Sequence, residues 1–330
     1  MIIGAILIVV AAFAVAAVLV LTRGRDGRAR TAVMQSGEGG VVDSAPPGLH
    51  PAEAGVLLRT RVATRYLVAT IIDLTVRGCL SVQHEEDGSW TLRRTGSTPS
   101  QLETYERTML KKLFPTVQGR RRRTTSTLQI TSTKGGFGTV RQGIERRVDD
   151  LGFFRVPPSK GRHQMRLAGS IVGATGAVLI WPLSMVAGAG MLGVALVLAG
   201  LVIAASGPLM AARTPQGTEV RRQLEAFQEF LSAGDPGLID WQHHPRAFSE
   251  YLPWTVIFGS QDQWVTLFQQ LVDEGRLRPK TLWYLPSKET FWHREGPLAA
   301  LSELVNELST SILLADRHEE AIPDDGPLRW

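Results

Sequence analysis

The stretch from Leu167 to Ala212 runs for 46 residues without an Asp, Glu, Lys, Arg or His. As one helix it would reach about 69 Å, more than twice the roughly 30 Å hydrocarbon core of a bilayer. Two crossings joined by a tight turn resolve the mismatch, with spans expected over residues 167–187 and 189–210. The turn belongs between Trp181-Pro182 and Gly188-Ala189-Gly190, where proline and glycine weaken a helix. Gly169, Ser170, Gly173 and Gly176 on the first span, and Gly188, Gly190, Gly193 and Gly200 beyond the turn, are expected to let the two backbones approach closely. No ionisable side chain lies inside the stretch, which argues against an ion or proton pathway through this chain alone.

Residues 1–21 are also uncharged and long enough to span. A cleaved leader would need a basic amino-terminal region and a small-x-small site before a polar segment, and neither is present. An uncleaved anchor is the expectation. Arg23, Arg25, Arg28 and Arg30 follow it at once, while Arg162, His163 and Arg166 precede the second apolar stretch and Arg213 follows it. Basic flanks stay in the cytoplasm. The expected topology is therefore a multi-pass membrane protein with three spans, its N-terminus outside and its large domains cytoplasmic. The lipid bilayer is the first expected partner.

Charge is divided along the chain. Arg23 to Arg166 holds 25 Lys/Arg against 13 Asp/Glu, whereas Arg213 to Trp330 holds 11 against 18. A basic part thus precedes the apolar hairpin and an acidic part follows it, and contact between the two is expected. Residues 22–47 form a linker whose glycine, proline and small polar residues bury too little to order themselves. The single cysteine, Cys79, excludes an internal disulfide and a thiolate metal cluster.

A cytoplasmic domain is expected over 48–160. Pro51-Ala52-Glu53-Ala54 reads as a helix start, with Pro51 in the first turn and Glu53 near the positive end of the dipole. Thr64 is placed to cap a second helix, along which Leu67, Val68, Ile71, Ile72 and Leu74 recur at helical spacing and which Gly78 ends. Leu80 to His84 and Trp90 to Arg94 alternate as a hairpin around an Asp-Gly turn. Further helices are read over Ser100 to Phe114 and Arg141 to Leu151. Two helices followed by a hairpin define a winged-helix-like α+β layout. A helical, aromatic-rich region is expected over 213–315, with helices over Thr218 to Leu231, from Pro253 to Gly259, over Val265 to Val272 and over Leu298 to Leu314. The segment 279–297 is read as irregular, and an acidic tail occupies 316–330.

The segment His50 to Val82 resembles the core of the bacterial membrane proteins grouped as domain of unknown function 2207. The resemblance rests on Pro51, Glu53, Thr70, Ile71, Ile72, Leu74, Arg77 and Gly78. It continues through Arg213, Thr214 and Gly217 and through Leu252, Pro253, Trp254, Gly259 and Trp264. It implies an inner-membrane protein and supplies no catalytic residues. Members commonly carry an extracytoplasmic β-rich domain before the first span, which this chain is expected to lack; its acidic tail also departs from their glycine/serine-rich end.

Four consecutive arginines, Arg120, Arg121, Arg122 and Arg123, form the sharpest polar feature. They suit anionic lipid or the phosphate backbone of a nucleic acid, and equally a solvated loop. The helix Thr64 to Arg77 carries arginines only near its ends, which favours packing over base readout, so nucleic acid is not the expected partner. Gly135-Gly136-Phe137-Gly138 lacks the lysine and hydroxyl of a phosphate loop. His243-His244 lacks a ligand spacing. Cys79 has no activating neighbour in sequence. No catalytic, cofactor-binding or metal-binding residues are expected, and the chain is not read as an enzyme. Trp254, Phe258, Trp264, Trp283 and Trp292 belong to an aromatic cluster that suits either a small core or a surface for the membrane or a partner. The expected role is that of a membrane-anchored scaffold or regulatory subunit with a membrane or envelope protein partner, and the alternative is a membrane-tethered DNA-binding regulator.

Overall fold

A computed structural model describes residues 44–85, 89–96, 101–117, 119–185, 190–206, 212–233, 246–275, 284–285 and 297–321. The chain divides into two compact units. One comprises residues 148–222, and the other is assembled from 38–147 together with 223–330. The amino-terminal span, most of the linker, the hairpin turn at 86–88, the turn between the apolar helices, His243-His244, Trp283 and Trp292 lie outside the described residues.

The larger unit begins with α1 (Pro51–Arg59) and α2 (Thr64–Val76). Glu53 reaches back to accept a hydrogen bond from the His50 backbone N–H at 3.1 Å, closing the first turn of α1. Ala63, not Thr64, caps α2; Thr64 is the first helical residue and its hydroxyl accepts a hydrogen bond from Arg141 Nη2 at 3.1 Å. Gly78, at φ +79°, ends α2 in the left-handed conformation, with the Cys79 N–H bonded back to Leu74 at 2.9 Å. The chain enters β1 (Leu80–His84) directly and returns as β2 (Trp90–Arg94), paired antiparallel in the register Leu80↔Arg94, Val82↔Leu92 and His84↔Trp90. Next come α3 (Thr104–Leu113), a short ribbon of β3 (Thr116–Val117) and β4 (Arg120–Arg121), β5 (Thr124–Ser126), α4 (Thr127–Thr131) and α5 (Gly138–Asp150).

The smaller unit carries the apolar hairpin. It contains β6 (Phe154–Val156), α6 (Pro158–Met185), α7 (Gly190–Ala205) and β7 (Ala212–Arg213). Among the described residues one helix is long and apolar enough to cross a membrane, His163–Met185 at 23 residues; α7 is apolar but described over 16. The two pack on their glycines. A Cβ on Gly176 would lie 2.8 Å from the Gly193 carbonyl, and one on Gly200 would lie 2.6 Å from the Gly173 nitrogen. Large side chains point away from this seam: Val178, Trp181 and Met185 are each more than 70% exposed, and Ile171 and Leu201 are also exposed. At the base β6 pairs antiparallel with β7, and the Thr214 N–H donates to Phe153 O at 3.0 Å. Gly217 sits so close to Phe153 that a Cβ would lie 3.0 Å from its Cα.

The chain then re-enters the larger unit through α8 (Pro215–Ala233), followed by α9 (Ala247–Phe258), α10 (Gln261–Asp273), β8 (Tyr284–Leu285) and α11 (Pro297–Ala321). Pro253 does not start α9; it is buried inside the helix, which begins at Ala247. Burial of Phe248, Leu252, Val256 and Ile257 offsets the missing proline donor. The segment read as irregular contributes β8, parallel to β1 through Val82↔Tyr284, so the four-stranded order is β5-β2-β1-β8. α11 continues past Leu314 to Ala321 because Asp316 is held, accepting from the Phe137 N–H at 2.8 Å and from Arg141 Nη1 at 2.5 Å. Its buried stripe, Leu301, Leu304, Leu308, Ile312 and Ala315, follows helical spacing. The core lies between the sheet residues Leu80, Val82, Trp90 and Leu92, the buried side of α2 and these later helices.

Candidate functional site

The densest polar constellation joins the start of α1, the end of α2, the start of α3 and α5. Glu53 and Glu106 are fully buried. Arg77 Nη2 lies 2.8 Å from Asp73 Oδ2 and also donates to Glu106 Oε1. His50 Nδ1 lies 3.7 Å from Asp73 Oδ2 and 4.0 Å from Glu106 Oε1. On the other side Tyr105 donates to Glu53 Oε1 at 3.2 Å, Arg147 Nε approaches the same oxygen at 3.6 Å, and Arg147 Nη2 meets Glu103 Oε1 at 2.9 Å. Helix geometry explains the convergence: Asp73 and Arg77 stand four apart on one face of α2, and Glu106 is the third residue of α3, bent back onto the Glu103 N–H at 2.8 Å.

The surroundings tune these groups. Burial opposes the charged form of His50, but the hydrogen bond to Asp73 and the charges of Glu106, Asp73 and Glu53 prevail and raise its pKa. Burial pushes the Glu53 carboxyl up against the opposing pull of the His50 backbone, the His50 charge, Arg147 and Tyr105. Burial, then Glu53 and Glu106, pushes the Tyr105 phenol well up.

His50, Asp73 and Glu106 offer ligand atoms within 4.8 Å of one another, a metal-like trio that sequence reading missed because its members lie 23 and 33 residues apart. Asp73 Oδ2 and Glu106 Oε1, the oxygens nearest His50, are both engaged by Arg77. A guanidinium already supplies the positive charge those oxygens need. The constellation is thus an internal ion-pair clasp that fixes four helices, and its chemistry is that of positioning.

The arginine run is distributed. Arg120 and Arg121 form β4, with backbone pairing to Val117 and Thr116. Arg122 Nη1 donates to Gln129 Oε1 at 3.1 Å, and the Arg123 carbonyl accepts from the Arg94 N–H at 2.8 Å. Arg122 joins Lys111, Lys112 and Lys134 in lining an open groove of about 990 Å3 that also carries Thr108, Thr116, Thr125, Ser132 and Thr133. Lys112 Nζ is engaged by the carbonyls of Lys134 at 3.2 Å and Gly135 at 2.5 Å.

Where it is described, the aromatic cluster packs inward, as the core reading expects. Trp254 and Trp264 are buried and Phe258 half-buried. Phe227 takes Tyr251, Trp254 and Phe258 edge-on at 5.7, 5.6 and 6.2 Å. Trp264 Nε1 donates to the Phe248 carbonyl at 3.3 Å. The buried residues of α2, including Leu67, Val68, Ile71 and Ile72, pack against α1, α9 and α11. Cys79 is buried, and burial raises its thiol pKa despite Arg77, so it stays a thiol.

A glycine-seamed apolar helix pair in a mostly helical chain defines the class of a membrane-associated α-helical protein. The family model described as predicted membrane protein (DUF2207), C-terminal domain, matches residues 43–268, and the chain belongs to that family. No curated protein and no solved structure matches the chain.

Proposed function

We propose that this chain is a multi-pass inner-membrane protein that acts through binding, as a scaffold or regulatory subunit of a cell-envelope assembly, and carries no catalytic activity of its own. In this reading residues 1–21 and the two apolar helices give three spans, the N-terminus lies outside, and the larger unit is a cytoplasmic domain of winged-helix-like descent. The observation that carries it is the helix pair, which closes on glycine and turns Ile171, Val178, Trp181, Met185 and Leu201 outward, as a lipid-facing hairpin would. Interaction is preferred to DNA binding because α2, the helix that would enter a groove, buries its apolar length under α9 and α11.

The test is affinity purification of the detergent-solubilised protein from its native membrane, with partners identified by mass spectrometry. Stoichiometric recovery of a membrane or envelope protein is expected. Enrichment of DNA in a parallel crosslinked sample, with no protein partner, would replace this reading by that of a tethered regulator.

A further inference from the structure

A second cationic site lies apart from the arginine run. The turn between α1 and α2 and the facing helices α8 and α9 enclose a pocket of about 310 Å3, lined by Arg59, Arg61, Arg65, Tyr66, Gln228 and Phe258 among others. No carboxylate lines it among the described residues. The three arginines are exposed, and none has a side-chain hydrogen bond or ion pair among the described residues. Tyr66 is the reverse: it is 3% exposed, its ring lies against Gly55 so closely that a Cβ there would be 2.8 Å away, and its hydroxyl has no partner among the described residues. Arg65 and Arg59 lie near enough to that hydroxyl to oppose the rise that burial imposes on it. Arg65 Nη1 is stationed at the end of α9, 3.4 Å from where a Gly259 Cβ would sit.

Three guanidiniums around a small pocket concentrate positive charge with no counter-ion among the described residues, and planar guanidinium forks match phosphate oxygens in pairs. The pocket also opens at the amino-terminal end of α2, which has no side-chain cap and whose dipole favours an anion. Tyr66 is held by packing and lines the pocket, so its hydroxyl is placed to donate to an anion beside the arginines. The groove at Lys111 has the same sign, but Lys112 and Arg122 there are engaged by protein oxygens.

We propose that this pocket binds a phosphate group, carried either by a small phosphate ester or by the headgroup of an anionic phospholipid, with Arg59, Arg61 and Arg65 as its cationic contacts and Tyr66 as a hydroxyl donor. The test uses the full chain in detergent, titrated with glycerol phosphate by calorimetry at constant ionic strength, alongside native mass spectrometry of protein exchanged into phosphatidylglycerol or phosphatidylcholine nanodiscs. Saturable binding is expected, weakened about tenfold by Arg61→Gln and again by Tyr66→Phe, with Lys112→Gln without effect. Tyr66→Phe removes only an oxygen and guards against misfolding as the cause. Retention of phosphatidylglycerol that Arg61→Gln abolishes identifies the lipid source; binding of glycerol phosphate without lipid retention identifies the soluble ester. Failure to bind either probe, affinity unchanged in both variants, or duplex DNA held by these arginines while glycerol phosphate is not, would overturn the proposal.

Discussion

Arg77 answers two carboxylates at once, so its removal leaves the fully buried Glu106 carboxyl with no cation at hydrogen-bond distance among the described residues. Arg77→Gln is expected to destabilise the larger unit by about 3 kcal/mol, read as a drop in melting temperature of the detergent-solubilised protein. His50 and Glu53 set a pH dependence. Both hold their proton more tightly folded than unfolded, so the stability they confer is complete below their ordinary values and is lost as pH rises through the raised ones. For His50 the loss starts at about pH 6.5 and proceeds upward. A melting temperature that falls from pH 6.5 to 8.5, with a shallower fall in His50→Gln, is the expected result. Cys79 should react with maleimide only after unfolding, because it is buried and its thiol pKa is raised. Glu53 and Arg77 were visible in the sequence as a helix opening and a helix end. That both join one clasp was not, because Glu106, Tyr105 and Arg147 reach it from helices far along the chain and carry no local sign of doing so.

Helical spacing exposed α2 and the apolar stripe of α11, and two-residue alternation exposed the β1–β2 pair, since each of these patterns is written along its own element. β8 escaped because a two-residue strand is specified by its neighbour, here β1, some 200 residues earlier in the chain. The end of α11 escaped because Asp316 reads as the start of an acidic tail until Arg141 and the Phe137 N–H are seen beside it. Glycine spacing in the apolar hairpin was legible, and the structure ranks those glycines. A Cβ on Gly173 meets nothing within 4 Å, whereas one on Gly200 meets the backbone of Gly173. Gly173→Ala should therefore leave the melting temperature nearly unchanged, while Gly200→Ala forces the helices apart and costs about 1–3 kcal/mol. Equal effects of the two substitutions would refute this seam.

At the scale of the whole molecule the proposed orientation is open to a direct test. Leu128 is 77% exposed in the larger unit. A Leu128→Cys substitution in a Cys79→Ala background should react with a membrane-impermeant maleimide in inverted vesicles and resist it in intact cells. Labelling of intact cells would reverse the topology. The basic-to-acidic division along the chain anticipated contact between its two parts, and Arg141 with Asp316 is one such contact. Sequence could not show that these parts form a single core, because the apolar hairpin separates them. The larger unit is built from residues 38–147 and 223–330, with the hairpin inserted between. Synthesis therefore delivers half of a core, then the apolar helices, then the half that completes it. Until α9 and α11 emerge, the part of α2 that they bury has no cover, so the domain cannot close before the hairpin has been made. The order of translation thus makes delivery of the apolar pair a prerequisite for a finished domain.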